Sequence, residues 1–188
     1  MTDITKARIL IIATNGFEQA ELEVPRDKLR AAGAQVDVAS QDGKEIRGWD
    51  KKDWGRTVSA NLKIADAKEG DYTALVIPGG VMNPDKLRID DDAMKIVRDF
   101  LASGKVVAAV CHGPWLLVQA DALRGRTATS YPSIRKDVEN AGAKWVDKEV
   151  VVDNGIITSR KPDDLNAFTA KIIEEIEEGR HERRQAAE

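Results

Sequence analysis

The chain has 188 residues, 42% of them hydrophobic and 32% charged, with a formal net charge of -3. That is the length of one ordinary domain, and the composition is that of a folded chain and not a disordered one. The near-balanced charge gives no global attraction to nucleic acid or an anionic membrane, no apolar run approaches the roughly 20 residues of a membrane span, and one cysteine with two histidines supplies neither a disulfide framework nor a structural zinc site.

The opening MTDITKARILIIATNG has a short apolar run with no small-residue cleavage site after it, so it does not read as a signal peptide. Residues 7–13 (ARILIIA) read instead as a first, buried strand. With the lone cysteine, this makes a cytoplasmic protein the expectation. Residues 18–33 have helical period, but Pro25 predicts a break near Val24 and a second helix starting at the proline. Residues 35–40 (QVDVAS) alternate like a strand exposed on one face. Residues 41–60, with Gly43, Gly48 and Gly55, predict a small antiparallel excursion. Residues 73–78 (TALVIP) form another buried run. Asn83-Pro84-Asp85 predicts a helix start, with Asn83 as cap, Pro84 at the first position and Asp85 in the first turn. Ala93, Ile96, Val97, Phe100 and Leu101 share one helical face, which Gly104 stops.

Residues 105–110 (KVVAAV) read as a buried strand. Residues 114–122 read as a helix apolar nearly all round and therefore buried. Residues 150–153 and 156–159 predict two short strands about a turn at Asn154-Gly155. Leu165, Phe168, Ile172 and Ile176 make a further helical stripe, opened by Pro162 and Asp163. From Glu174 onward the sequence is dense in charge, which reads as a solvated helix end with acid-to-base pairs one turn apart. Its basic run is short and interrupted by Glu182, so a nucleic-acid role is not expected; His181 there reads as solvated. Strands alternating with helices predict βαβ units and a mainly parallel sheet covered on both faces, an α/β fold. One domain is expected over residues 1–179, followed by a charged tail, 180–188.

In open parallel sheets, functional groups gather beyond the carboxyl ends of the strands. Three such ends carry candidates. The first is Ala109-Val110-Cys111-His112-Gly113-Pro114, where a buried strand runs into a buried helix within two or three residues. Only a tight turn joins them so quickly, with Gly113 giving room and Pro114 suiting the first helical turn. This parallels a nucleophile elbow with a thiol in place of the hydroxyl. Backbone amides and the helix dipole there would favour a thiolate at Cys111. A buried, inert cysteine is the plainer alternative, and the strand-Cys-His-Gly-Pro-helix context argues against it. The second end is Thr14-Asn15-Gly16-Phe17-Glu18. Glu18 is either an acid complementing a helix dipole or a proton donor beside the thiol. The third is Ile77-Pro78-Gly79-Gly80, whose bare amides can form an oxyanion hole with that of His112. Tyr131 reads as core or site wall, and Trp115 as packing. Dinucleotide, Walker and Gly-x-Ser-x-Gly motifs are absent.

The set GFE, PGG and VCHGP, with TSYPSIRKDVENAGAKWVD at residues 129–147, resembles the PfpI family, within the superfamily that also holds ThiJ-like proteins and the class I glutamine amidotransferase-like fold. The likeness spans residues 7 to 178. It implies a flavodoxin-like three-layer sandwich with a mainly parallel central sheet, assembling as homodimers and often hexamers. It makes Cys111 the nucleophile, Glu18 the acid hydrogen-bonded to it, and His112 the histidine beside it. Asp85 falls where some members bring an acid to that histidine from a neighbouring subunit, and Tyr131 where they have a pocket tyrosine. The activities implied are glyoxalase or deglycase chemistry on reactive dicarbonyls or their early glycation adducts, as in stress response, with no metal or organic cofactor. An intracellular cysteine peptidase and a redox-sensing stress protein or chaperone are the alternatives. The peptidase ranks lower, because a histidine adjacent to its nucleophile on an elbow is hard to aim at the thiol.

Overall fold

The computed structural model describes residues 2–179. The tail 180–188, with His181 and the basic run noted above, lies outside the described residues.

Runs of apolar residues flanked by charge set the strands, and amphipathic stripes set the helices between them. In chain order the first elements are β1 (Arg8–Ile12), α1 (Gln19–Ala31), β2 (Gln35–Ser40), β3 (Ile46–Asp50), β4 (Asp53–Val58), β5 (Leu62–Lys63) and β6 (Ala74–Ile77). There follow α2 (Met82–Leu87), α3 (Asp91–Ser103), β7 (Val106–Val110), α4 (Pro114–Gln119) and β8 (Thr127–Ala128). The last are α5 (Arg135–Asn140), β9 (Lys144–Trp145), β10 (Val150–Asp153), β11 (Ile156–Ser159) and α6 (Leu165–Glu178).

Seven strands form one sheet in the order β10-β11-β7-β6-β1-β2-β5. Every neighbouring pair is parallel except the β10–β11 hairpin. Because successive strand residues point to opposite faces, β1 divides its side chains between two cores. Ile9 and Ile11 pack with Leu22 and Leu29 of α1 and with Phe168 and Ile172 of α6. Leu10 and Ile12 pack with Ile96, Val97 and Phe100 of α3 and with Leu116 and Leu117 of α4. The result is the flavodoxin-like sandwich: a mainly parallel sheet between two helical layers.

The antiparallel excursion is the β3–β4 ribbon. Its two-residue turn places Lys51 at φ 58, as the tightest hairpin turns require. Trp49 and Trp54 meet edge to face across it at 5.6 Å.

Two local expectations are corrected. Helix α1 does not break near Val24 but runs continuously through Pro25. A proline removes one intrahelical donor; here it is buried against the core, and that burial offsets the loss. Asn83 is not a helix cap either, because α2 begins at Met82, ahead of it. It is fully buried, its Oδ1 accepts from the Thr14 amide at 2.7 Å, and its Nδ2 donates to the Pro78 carbonyl at 2.9 Å. It therefore pins the loop after β6 to the end of β1. Among the described residues, no helix is long and apolar enough to cross a membrane.

Candidate active site

Strand β7 is buried along its whole length and is followed directly by Cys111, which takes φ +63. A non-glycine residue in that region costs on the order of 1–3 kcal/mol and persists only where its surroundings hold it. Three backbone bonds do so: Cys111 N–H donates to the Ser159 carbonyl at 3.0 Å, Tyr131 N–H donates to the Cys111 carbonyl at 2.9 Å, and Gly113 N–H donates to the Val110 carbonyl at 2.8 Å. A side chain at Gly113 would meet the Ile77 carbonyl oxygen at 2.7 Å, so only glycine lets the elbow close against the neighbouring strand. The sharp turn read from the sequence is therefore present, and it sets Cys111 just beyond the carboxyl end of an interior strand.

The acid in direct interaction with the thiol is Glu21, not Glu18. Glu18 is the residue that precedes α1. It is half-buried, and its Oε1 accepts from the Lys51 amide at 3.4 Å, on the hairpin turn. One turn into the helix, Glu21 is fully buried, and its Oε2 accepts from the Gly79 amide at 2.8 Å. The packing around Gly79 shows how close these groups lie. A Cβ placed there would sit 2.5 Å from Glu21 Oε2 and 2.6 Å from Cys111 Cβ. The sequence reading missed Glu21 because it reads as one more acid in a first helical turn; the signal available was its position one turn after Glu18.

Burial pushes the Glu21 carboxyl up to about 8, the charge of Glu18 adds to the effect, and contacts from Cys111, Gly79 and Gly80 oppose it. Burial, followed by the charge of Glu21, raises the thiol well above its ordinary range, against the lowering effect of the Gly80 and His112 amides. The expected helix-dipole lowering of the thiol is thus outweighed, in part because α4 is only six residues long. Thiol and carboxyl titrate as one unit, and two negative charges so close in a dry site are not tolerated together. Glu18 is also raised, chiefly by burial.

His112 is buried and flattened into place. Its Nδ1 lies 3.2 Å from Cys111 Sγ and its Nε2 lies 3.1 Å from Ser133 Oγ. The ring stacks on Tyr131 at 4.9 Å and meets the edge of Trp115 at 5.1 Å. Burial lowers its pKa and keeps it neutral. From the sequence, an adjacent histidine is expected to be hard to aim at the thiol; here, with Cys111 in the left-handed region, Nδ1 comes within 3.2 Å of the sulfur.

The oxyanion-hole expectation changes in one respect. The Gly79 amide is taken by Glu21. The Gly80 and His112 amides are the ones directed at the sulfur. Asp85 is exposed on α2 and does not line the cavity of its own chain. The cavity over the sulfur has a volume of about 540 Å³, and its walls include Glu18, Glu21, Trp49, Lys51, Gly80, Cys111, His112, Tyr131 and Ser133. Ser133 was not singled out in the sequence, where it reads as a turn residue after Pro132. Among the described residues, no group of three or more histidine, cysteine, aspartate or glutamate side chains is arranged to hold a metal ion.

Residues 7–175 match the DJ-1/PfpI family. The chain belongs to the DJ-1/PfpI family. Among its relatives, Protein/nucleic acid deglycase 2 of Escherichia coli is 42% identical over 168 residues, covering 88% of this chain and 95% of that protein. Deglycase PfpI of Pyrococcus furiosus is 39% identical over 166 residues, covering 88% and 97%. Among solved structures, Drosophila melanogaster DJ-1beta superposes with a TM-score of 0.81 at 28% identity, covering 92% of this chain and 94% of that one. The resemblance read from GFE, PGG and VCHGP is thereby confirmed at the level of the DJ-1/PfpI family.

Proposed function

We propose that this chain is a cysteine-dependent deglycase that also consumes free reactive dicarbonyls such as methylglyoxal. The observation that carries the proposal is the Cys111 sulfur at the floor of an open cavity, between the Glu21 carboxyl and the His112 imidazole. Relatives at 39% and 42% identity bear deglycase names.

Cys111 thiolate adds to the aldehyde carbon and forms a hemithioacetal. The Gly80 and His112 amides, already directed at the sulfur, face the oxygen that becomes negative. Glu21, poised by burial to gain or lose its proton close to neutral pH, takes a proton from the hemithioacetal carbon and returns it to the adjacent one. The resulting thioester is cleaved by water to a hydroxy acid, lactate from methylglyoxal, and the free thiol. From a glycation adduct the same attack releases the amine. Each step uses only side chains, amides and water. Turnover of methylglyoxal and of a glycated amine by the wild type, and its loss in Cys111→Ala with the fold intact, is the expected outcome. Equal consumption by both proteins would refute the thiol mechanism.

A second reading, a cysteine peptidase, is favoured by the 3.2 Å approach of His112 Nδ1 to the sulfur. Hydrolysis of a fluorogenic peptide, abolished in Cys111→Ala, would support it. Within the deglycase reading the protein works in the cytoplasm as a homo-oligomer. There Asp85 of a second copy would meet His112 only at Nε2, where Ser133 already stands.

A further inference from the structure

The deglycase reading needs a thiolate at Cys111, yet burial and the neighbouring carboxyl both oppose one. Something must favour the ionised sulfur. The amides of Gly80 and His112 contribute, and the remaining close polar group is His112 Nδ1. A neutral imidazole carries one N–H, on either nitrogen, and the hydrogen bond at one nitrogen decides what the other can do.

We propose that Ser133 is a positioning residue that selects the tautomer of His112 and thereby supports the Cys111 thiolate. The geometry is a two-step relay through the ring: Ser133 Oγ at 3.1 Å from Nε2, and Nδ1 at 3.2 Å from Sγ. The Ser133 hydroxyl donates to Nε2, which leaves the proton on Nδ1, and that N–H donates to the sulfur. When Cys111 ionises, its proton leaves to water in the open cavity, and the Nδ1–H is already in place to receive the charge. Stacking on Tyr131 and the edge contact with Trp115 hold the ring plane but cannot choose which nitrogen bears the proton. Ser133 is the group that can.

The other ionisable groups facing this relay are Glu18 and Glu21, Lys51 on the hairpin turn and the Tyr131 phenol, all on the cavity wall. Behind Trp115, Arg88 lies over the indole ring at 5.2 Å and Asp137 accepts from its N–H at 2.8 Å. None of them hydrogen-bonds to the Ser133 hydroxyl, whose partner is His112 Nε2.

The proposal rests on the thiolate mechanism above, but its test does not depend on the substrate. Cys111 is the chain's one cysteine, so iodoacetamide alkylation followed across pH reports its ionisation alone. Losing one such hydrogen bond should raise the midpoint of that profile in Ser133→Ala by about half to one pH unit. Ser133→Thr, which keeps the hydroxyl, should restore it. On a His112→Ala background, Ser133→Ala should change nothing further. An unmoved midpoint in Ser133→Ala, or an equal shift in Ser133→Thr, would overturn the proposal. Methylglyoxal turnover measured on the same proteins separates the two ideas. A wild type that does not turn over, while its alkylation midpoint still answers to Ser133, would sink the deglycase reading and leave the relay standing.

Discussion

At the scale of single residues, the decisive pairing is Cys111 with Glu21. A general acid and base contributes about 100-fold or more to a proton transfer, so Glu21→Gln should lower kcat on methylglyoxal by at least that much. Glu18→Gln should retain the larger share of activity, because Glu18 reaches the hairpin amide and not the sulfur. A steady-state comparison of the two variants decides between them, and a greater loss in Glu18→Gln would reverse the assignment. Burial of Glu21 has a consequence for stability as well. The folded carboxyl titrates at about 8 against an ordinary value of 4.5, so between those pH values the folded state holds a proton that the unfolded state has released. Stability should therefore fall as pH rises across that window and level off above it. Glu21→Gln should flatten that slope, leaving the smaller part that Glu18 contributes, as urea midpoints measured at pH 4.5 and pH 8 would show. The sequence pointed to Cys111, His112 and the Gly-Gly turn because each follows an apolar strand directly. It pointed to Glu18 and not Glu21 because the interaction depends on which side chain the helix turns inward, and three residues of register are invisible without the neighbouring loop.

Elements bring these residues together through buried polar ties as well as apolar packing. Asn83 joins the end of β1 to the loop after β6 by accepting from the Thr14 amide and donating to the Pro78 carbonyl. Replacing it by alanine should cost about 1–3 kcal/mol for each group left unsatisfied. A chemical denaturation curve would show that loss, and turnover should drop with it, since Gly79 and Gly80 sit in that loop. Sequence logic placed Asn83 at a helix start, a sound local reading that a long-range partner overrides. The same holds for Pro25, where burial wins over the local preference for a break. By contrast, the parallel strands and the β10–β11 hairpin were readable because their signals, continuous apolar runs and an Asn-Gly turn, lie within a few residues of chain.

For the molecule as a whole, the sheet separates two hydrophobic cores, and the Cys111, Glu21 and His112 cluster stands at one end of it. Phe100 belongs to the core beneath α3 and lies near Lys105, which precedes β7, whereas Cys111 follows that strand. Phe100→Ala should cost about 3–5 kcal/mol, seen as a lower urea midpoint, while the alkylation profile of the still-folded protein keeps its wild-type midpoint. A shifted profile would mean that the two ends are mechanically linked. Lastly, Pro25 stands four residues after Glu21 in α1. An amide there would have bonded to the Glu21 carbonyl; proline has none to offer. The turn bearing the acid therefore lacks one bond of its helix, and the Gly79 amide holds its carboxyl from outside. When that helix turn breathes, the Glu21 carboxyl should stay with the loop after β6, keeping its station beside the sulfur.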